Sequence, residues 1–305
     1  MLYVKLLSYS GLIPTKFTML KQSIVAITLT ILGFATPAQA VKPADLSRLL
    51  KIKECAHCDL SKAHLAGKDL SNSNLSSANL SQADLTGTKL TKTNLTSANL
   101  SGAKLAGATL SGTNLVNANL SEAYMVGIKE ECCAEPSNLT NANLKGSNLT
   151  DAKLVSNYGP INLTGADLTG ADLSGATISN DSLVGVNLSN ATLIGTIFVQ
   201  SNLTSVNFTK ANLSGTNLSF SNLTNANFSD ATVSGVNFQS ATFAGTNFTG
   251  ANVTNPINLP NPLPGTRGLP TSLIPQSTIK TSTPSSPRPK TNILNSLLRG
   301  FGILK

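Results

Sequence analysis

The chain has 305 residues, of which 12% are charged and 5% aromatic, with no tryptophan, two histidines and a formal net charge of +8. That charge is unevenly placed: residues 1–40 hold three lysines and no acid, residues 41–253 hold 13 basic and 14 acidic residues, and residues from 254 onward hold six basic and no acidic ones. The near-neutral body lacks the surface field that would recruit nucleic acid, and His57 and His64, without acid or nucleophile partners, give an enzyme no support.

The first element is a leader. Lys16 and Lys21 precede an apolar run over residues 24–34, and Ala38-Gln39-Ala40 closes it. A basic start, a short apolar core and an A-x-A site predict a secretory signal peptide over 1–40, cleaved after Ala40, with Met19 as good a start as Met1. The run is shorter than the ~20 residues that cross a bilayer, which favours cleavage over an anchor. Residues 41–57 then read as a cap. Leu46, Leu49, Leu50 and Ile52 roughly follow helical spacing, and Asp45 or Ser47 is placed to start a short helix.

Four cysteines stand in two pairs. Cys55-Ala56-His57-Cys58 fits a local disulfide, a redox pair or half a metal site; haem attachment needs His directly after the second Cys, where Asp59 stands. Cys132 and Cys133 lie about three coils away along the stacked coil that the repeats below imply, too far to complete a zinc site. In an oxidising compartment the favoured form is a disulfide between Cys55 and Cys58 that pins the cap to the start of the repeats. For Cys132 and Cys133, a vicinal disulfide and an intermolecular link both stay open. No cofactor or metal is expected.

From 58 to 255 the sequence returns every five residues. A bulky apolar centre runs from Leu60 in fives to Leu120 and Met125, resumes at Leu139, Leu144, Leu149 and Leu154, then runs from Leu163 to Val253, giving 37 centres. Two residues before each centre stands a small one, such as Ala78, Ala98, Thr113 or Ala166, and between them usually Asn or Asp. Centre and small residue share one face of an extended segment and point inward; the others point out and suit turns. A period of five fits neither a helix nor a flat strand, so the chain must turn corners at a fixed rhythm and stack as a coil.

The motif, as in Ala78-Asn79-Leu80-Ser81-Gln82 and Ala166-Asp167-Leu168-Thr169-Gly170, resembles that of the pentapeptide-repeat family. The resemblance implies an all-β fold, a right-handed quadrilateral β-helix with four pentads per coil and a short N-terminal helical cap. About nine coils at ~4.8 Å make a rod roughly 45 Å long. Positions twenty apart then stack, so Phe208, Phe228 and Phe248 predict an internal aromatic ladder, as do Phe198, Leu218 and Phe238. The Cys-x-x-Cys-Asp-Leu run resembles exported, cyanobacterial-type members. Some members bind type II topoisomerases as acidic DNA mimics; here a neutral surface and an export signal rank that reading low.

Two breaks interrupt the rhythm, near 126–137 and 155–161. The first carries Glu130, Glu131 and Glu135, the second Tyr158-Gly159-Pro160. Beyond the repeats, 256–290 reads as a Pro/Ser/Thr-rich, disordered linker, and 291–305 as an amphipathic segment with Leu294, Leu297, Leu298 and Phe301 on one helical face. Its flanking Lys and Arg suit weak contact with an anionic membrane. Recurrent Asn-Leu-Ser and Asn-Leu-Thr sequons would be awkward in a eukaryotic secretory pathway, which points to a periplasm or thylakoid-type lumen. The functional expectation is a non-catalytic exported scaffold for a protein or cell-envelope partner; the alternative is a redox-responsive protein using Cys55 and Cys58.

Overall fold

The computed structural model describes residues 42–125, 136–155, 159–260 and 265–269. The leader, Cys132, Cys133, the bulk of the first break and the segment 291–305 lie outside them.

Each pentad is built around a corner. The Leu60 carbonyl accepts the N–H of Ala63 at 3.0 Å, and Lys62 between them has φ of 57°. This is a type II turn, whose third residue must be left-handed. The same sign of φ recurs at every described position two after a centre within the repeats, which is why Gly and Asn are frequent there. The Asn or Asp before the centre braces the corner from outside. Asp69 Oδ1 accepts the N–H of Ser71 at 2.9 Å, and Asn119 Oδ1 that of Ser121 at 3.0 Å.

Four corners bring the chain back above itself. Glu54 pairs in parallel with Asn74, Asp59 with Asn79, His64 with Asp84 and Asp69 with Lys89, each twenty residues on. The coil therefore has four faces, called here by their first outward residue: Glu54, Asp59, His64 and Asp69. Sides this short yield few strands. β1 (Lys153–Val155) pairs with β2 (Thr177–Ser179) and β3 (Thr232–Ser234) with β4 (Asn252–Thr254), all in parallel. Elsewhere single bridges do the same work. Leu60 N–H donates to Asn79 O at 2.7 Å, Asn79 N–H to Cys58 O at 2.9 Å and Lys62 N–H to Ser81 O at 2.8 Å. A lone coil would leave these groups unpaired, so stability comes from stacking.

The interior holds the centres, Leu60 through Phe248, with their small partners. Threonine is tolerated at the small position because it finds an acceptor: the Thr93 hydroxyl donates to Leu70 O at 2.8 Å and that of Thr113 to Leu90 O at 2.7 Å. The aromatic ladder is present, with Phe228 stacked at 4.8 Å on Phe208 and 4.9 Å on Phe248.

The N-terminal opening is covered by α1 (Pro43–Ile52), but not as its side chains suggested. The N-cap is Lys42, with no side-chain bond, because Pro43 sets the first turn. Asp45 lies inside that turn and its carboxylate accepts the N–H of Asp59 at 3.2 Å instead. Leu49 is buried and Leu46 packs on the core, whereas Leu50 and Ile52 fall on the outer side and are 45% and 64% exposed. The coil itself begins at Glu54, inside the stretch read as cap, with Cys55 in a centre position. At the other end Ile257 and Arg267 still pair with Asn237 and Asn247, within the stretch read as linker.

The breaks keep the register while lengthening the turn. Thr109 pairs with Asn138, 29 residues on, and Lys153 with Thr177, 24 on, instead of 20. The second break thus adds only four residues, since Val155 stays in β1 and Ile161 is buried in the coil. Both breaks leave from a centre on the His64 face (Met125, Leu154) and rejoin on the Asp69 face (Leu139, Leu163). They share one corner of the coil, one turn apart.

Candidate interaction face

Stretches of two of the four faces satisfy their own side chains. The Glu54 face presents Asn74, Asn94, Asn114 and Asn143, then Asp167, Asn187, Asn207, Asn227 and Asn247. Asn207 Nδ2 donates to Asn187 Oδ1 and Asn247 Nδ2 to Asn227 Oδ1, both at 3.1 Å, while Thr209 donates to Asn207 Oδ1 at 2.6 Å. The Asp59 face repeats the scheme through Asn79, Asn99 and Asn119. Side chains bonded to one another in this way have little left for a partner.

The His64 face breaks that rule. Its outward column reads His64, Asp84, Lys104, Tyr124, Lys153, Thr177, Ile197, and only then Asn217 and Asn237. Tyr124 is 45% exposed, with Lys153 Nζ 5.3 Å from its ring centroid. Asp84 is held below the usual carboxylate range: burial opposes this, but the hydroxyl and N–H of Thr86 and the nearby Lys104 prevail. Farther up, Ile194, Ile197 and Val199 face outward on one coil, and Phe220 stands at the following corner one coil above. Ile194 and Phe220 are 47% and 52% exposed. Phe220 also sits at φ of 60°, a conformation bulky side chains avoid. A solvent-exposed aromatic kept at a strained corner is a cost to folding that no core contact explains.

The corner carrying both breaks has a second irregular feature. Asp181 occupies a small inward position above Ile161 and is buried. Its Oδ1 accepts the Ile161 N–H at 2.8 Å, while Oδ2 has no partner among the described residues. Ser201 and Ser221 continue the column upward, each donating to a carbonyl of the coil below, Ile178 and Phe198. Burial pushes the Asp181 carboxyl up to about 8, against the pull of the Ile161 N–H. The sequence carried this signal, an acid where Ala, Ser, Thr or Val is the rule, and the sequence reading passed over it.

The structure joins Cys55 and Cys58 by a disulfide with Cα atoms 5.2 Å apart. Both sulfurs lie at the floor of the coil under α1, buried, with Cys55 Sγ 3.2 Å from Asp45 O. His57 stands at the left-handed corner position between them, and His64 on an outward face. No group of three or more His, Cys, Asp or Glu among the described residues is arranged to hold a metal. The disulfide thus ties two core positions together across a corner, the chemistry of a staple.

A capped, four-sided coil of parallel bridges with inert amide ladders defines a solenoid scaffold. The family model for pentapeptide repeats matches residues 54–91, 93–129, 137–156, 161–180, 182–219 and 221–255, and the chain belongs to that family, whose members fold into a right-handed β-helix. Among solved structures, it is similar to HetL, a pentapeptide repeat protein involved in heterocyst differentiation regulation from the cyanobacterium Nostoc sp. strain PCC 7120. The identity is 25% over 76% of this chain and 91% of that one, with a TM-score of 0.38. QnrB1, a plasmid-mediated fluoroquinolone resistance protein, is 18% identical over 70% and 90% of the chains, TM-score 0.36. A pentapeptide repeat protein from the Arabidopsis thaliana thylakoid lumen is 23% identical over 36% and 68%, TM-score 0.20. No curated protein matches.

Proposed function

We propose that the protein is a non-catalytic exported scaffold that docks a protein partner of the cell envelope or lumen on its His64 face. One observation carries this reading: the amide ladders of the Glu54 and Asp59 faces give way there to Tyr124, Lys153 and Ile197, with Phe220 at the corner beside them, and two of these four are half-exposed aromatics. Exposed aromatic anchors are the composition of protein interfaces, not of an inert wall. Export rests on the sequence of residues 1–40 and is compatible with the oxidised Cys55–Cys58 pair.

The redox-responsive alternative has less in its favour, because the disulfide is buried beneath α1 and a reductant reaches it only if the cap moves. Fractionation of the native host tests both halves of the reading. The expected result is a mature chain beginning at Val41 in the exported fraction, retained with a partner that is lost on Phe220→Ser. An uncleaved cytoplasmic chain contradicts export; a partner indifferent to Phe220 contradicts the docking face.

A further inference from the structure

Among the described residues of the coil, the exposed large apolar side chains are Tyr124, Ile194, Phe220 and Ile257, between 45% and 52% exposed. All four lie on the His64 face or at a corner flanking it. Ile197 and Ile257 stand three coils apart on its outward column, about 14 Å at the spacing of stacked strands. Ile194 and Phe220 flank that column on either side. From 182 to 253 the only charged residues are Lys210 and Asp230, both at the corner that follows the Glu54 face. This stretch of the His64 face is therefore apolar and uncharged.

The same chain carries a segment of matching chemistry. Arg267 pairs with Asn247 on the last coil and Leu269 packs against the core, so the residues that follow leave from the end nearest Ile257. Residues 270–305 lie outside the described ones. In their sequence Ile293, Leu294, Leu297, Leu298, Phe301 and Leu304 share one side at helical spacing, with Asn295, Ser296 and Arg299 opposite. A helix over 292–304 would be about 20 Å long, enough to cover the patch. So short a helix, with Gly300 and Gly302 in it, is marginal alone in water and needs a surface to pack on. The tether over 270–291 reaches up to ~70 Å when extended, more than the length of the rod. Tethering holds the segment at effective concentrations near millimolar, so even a small contact area is populated.

We propose that segment 292–304 of this chain lies against the upper His64 face, over Ile194, Ile197, Phe220 and Ile257, as a strap that a partner displaces. Burying its leucines against these side chains removes apolar surface from water on both sides and sets no charge against another. A second copy competing for the same patch meets a segment already tethered beside it. The control of docking rests on the reading above; the place of the strap on the face does not.

Photo-crosslinking of the purified, dilute mature chain tests it, with a benzophenone side chain at position 301. The expected result is a monomer-sized adduct that mass spectrometry maps to Ile194, Ile197, Phe220 or Ile257, retained when phosphatidylglycerol vesicles are added. Leu297→Asp with Leu298→Asp leaves the coil untouched and should lower the yield roughly tenfold, because two leucines are lost from the contact. Ile194→Ser with Phe220→Ser should lower it similarly. A yield unchanged by either pair, adducts on Asn187 or Asn227, dimer-sized or lipid adducts alone, or no adduct overturns the proposal. No partner is present in this experiment, so a missing adduct leaves the docking reading standing, and a partner indifferent to Phe220 leaves the strap standing.

Discussion

The backbone N–H of Ile161 donates to Oδ1 of Asp181, one coil above it, at 2.8 Å inside a core otherwise filled with Leu, Phe and small residues. The folded chain holds this carboxyl protonated up to about 8, whereas in the unfolded chain it ionises near 3.8. Unfolding therefore releases a proton across that window. The stability tied to Asp181 is complete below about 3.8, falls as pH rises, and is lost through about 8, by at most ~1.4 kcal/mol per pH unit. Asp181→Ser copies Ser201 and Ser221 and should remove the slope. Urea midpoints from pH 4.5 to 9 should show the wild type losing ground to the variant steadily; parallel curves would refute the buried neutral acid.

Phe228 lies between Phe208 and Phe248, with rings at 4.8 and 4.9 Å, and is fully buried. Phe228→Ala should cost about 3–5 kcal/mol, because a narrow coil cannot collapse around the void. Phe228→Leu, the ordinary residue of that position, should cost less than about 1.5 kcal/mol. Equilibrium unfolding of the two variants checks the contrast.

The second break adds four residues to the coil, so deleting 157–160 restores a turn of twenty. Ser156 would then fill the left-handed corner and Ile161 the inward position, whereas keeping Pro160 at that corner would fail, since proline cannot adopt positive φ. The shortened chain should unfold within about 1 kcal/mol of the parent, as short surface insertions change loop entropy little. Loss of cooperative folding would make the break structural.

Phe220 occupies a corner that glycine fills at Gly215 and Gly235 nearby. Phe220→Gly should leave stability unchanged or raise it by up to about 1 kcal/mol, while weakening partner binding. Thermal denaturation with a binding assay on the same sample separates the two effects. A destabilised variant would mean that Phe220 serves the fold.

The pentad period exposed much of this architecture, because each residue class meets the same demand at every turn: Leu fills the coil, Ala fits beside it, Asn braces the corner. Even the Phe208–Phe228–Phe248 ladder came from counting in twenties. The functional features were harder to see. Tyr124 and Ile197 share a face only after the 29- and 24-residue spacings are known, and nothing in the composition of the breaks fixes those. At the N-terminus, Asp45 looked like a helix cap, but Pro43 had already set the turn and the carboxylate found the Asp59 N–H. Local pattern cannot reveal a partner fourteen residues away.

The central claim is that this rod is inert on its amide ladders and active on its His64 face. Photo-crosslinking in the native host tests it most directly, with a benzophenone side chain placed in turn at positions 197, 220, 187 and 227. The account predicts a discrete, shared adduct from 197 and 220 and none from 187 or 227, which lie on the Glu54 face. Equal adducts from all four positions, or adducts from 187 and 227 alone, would contradict it.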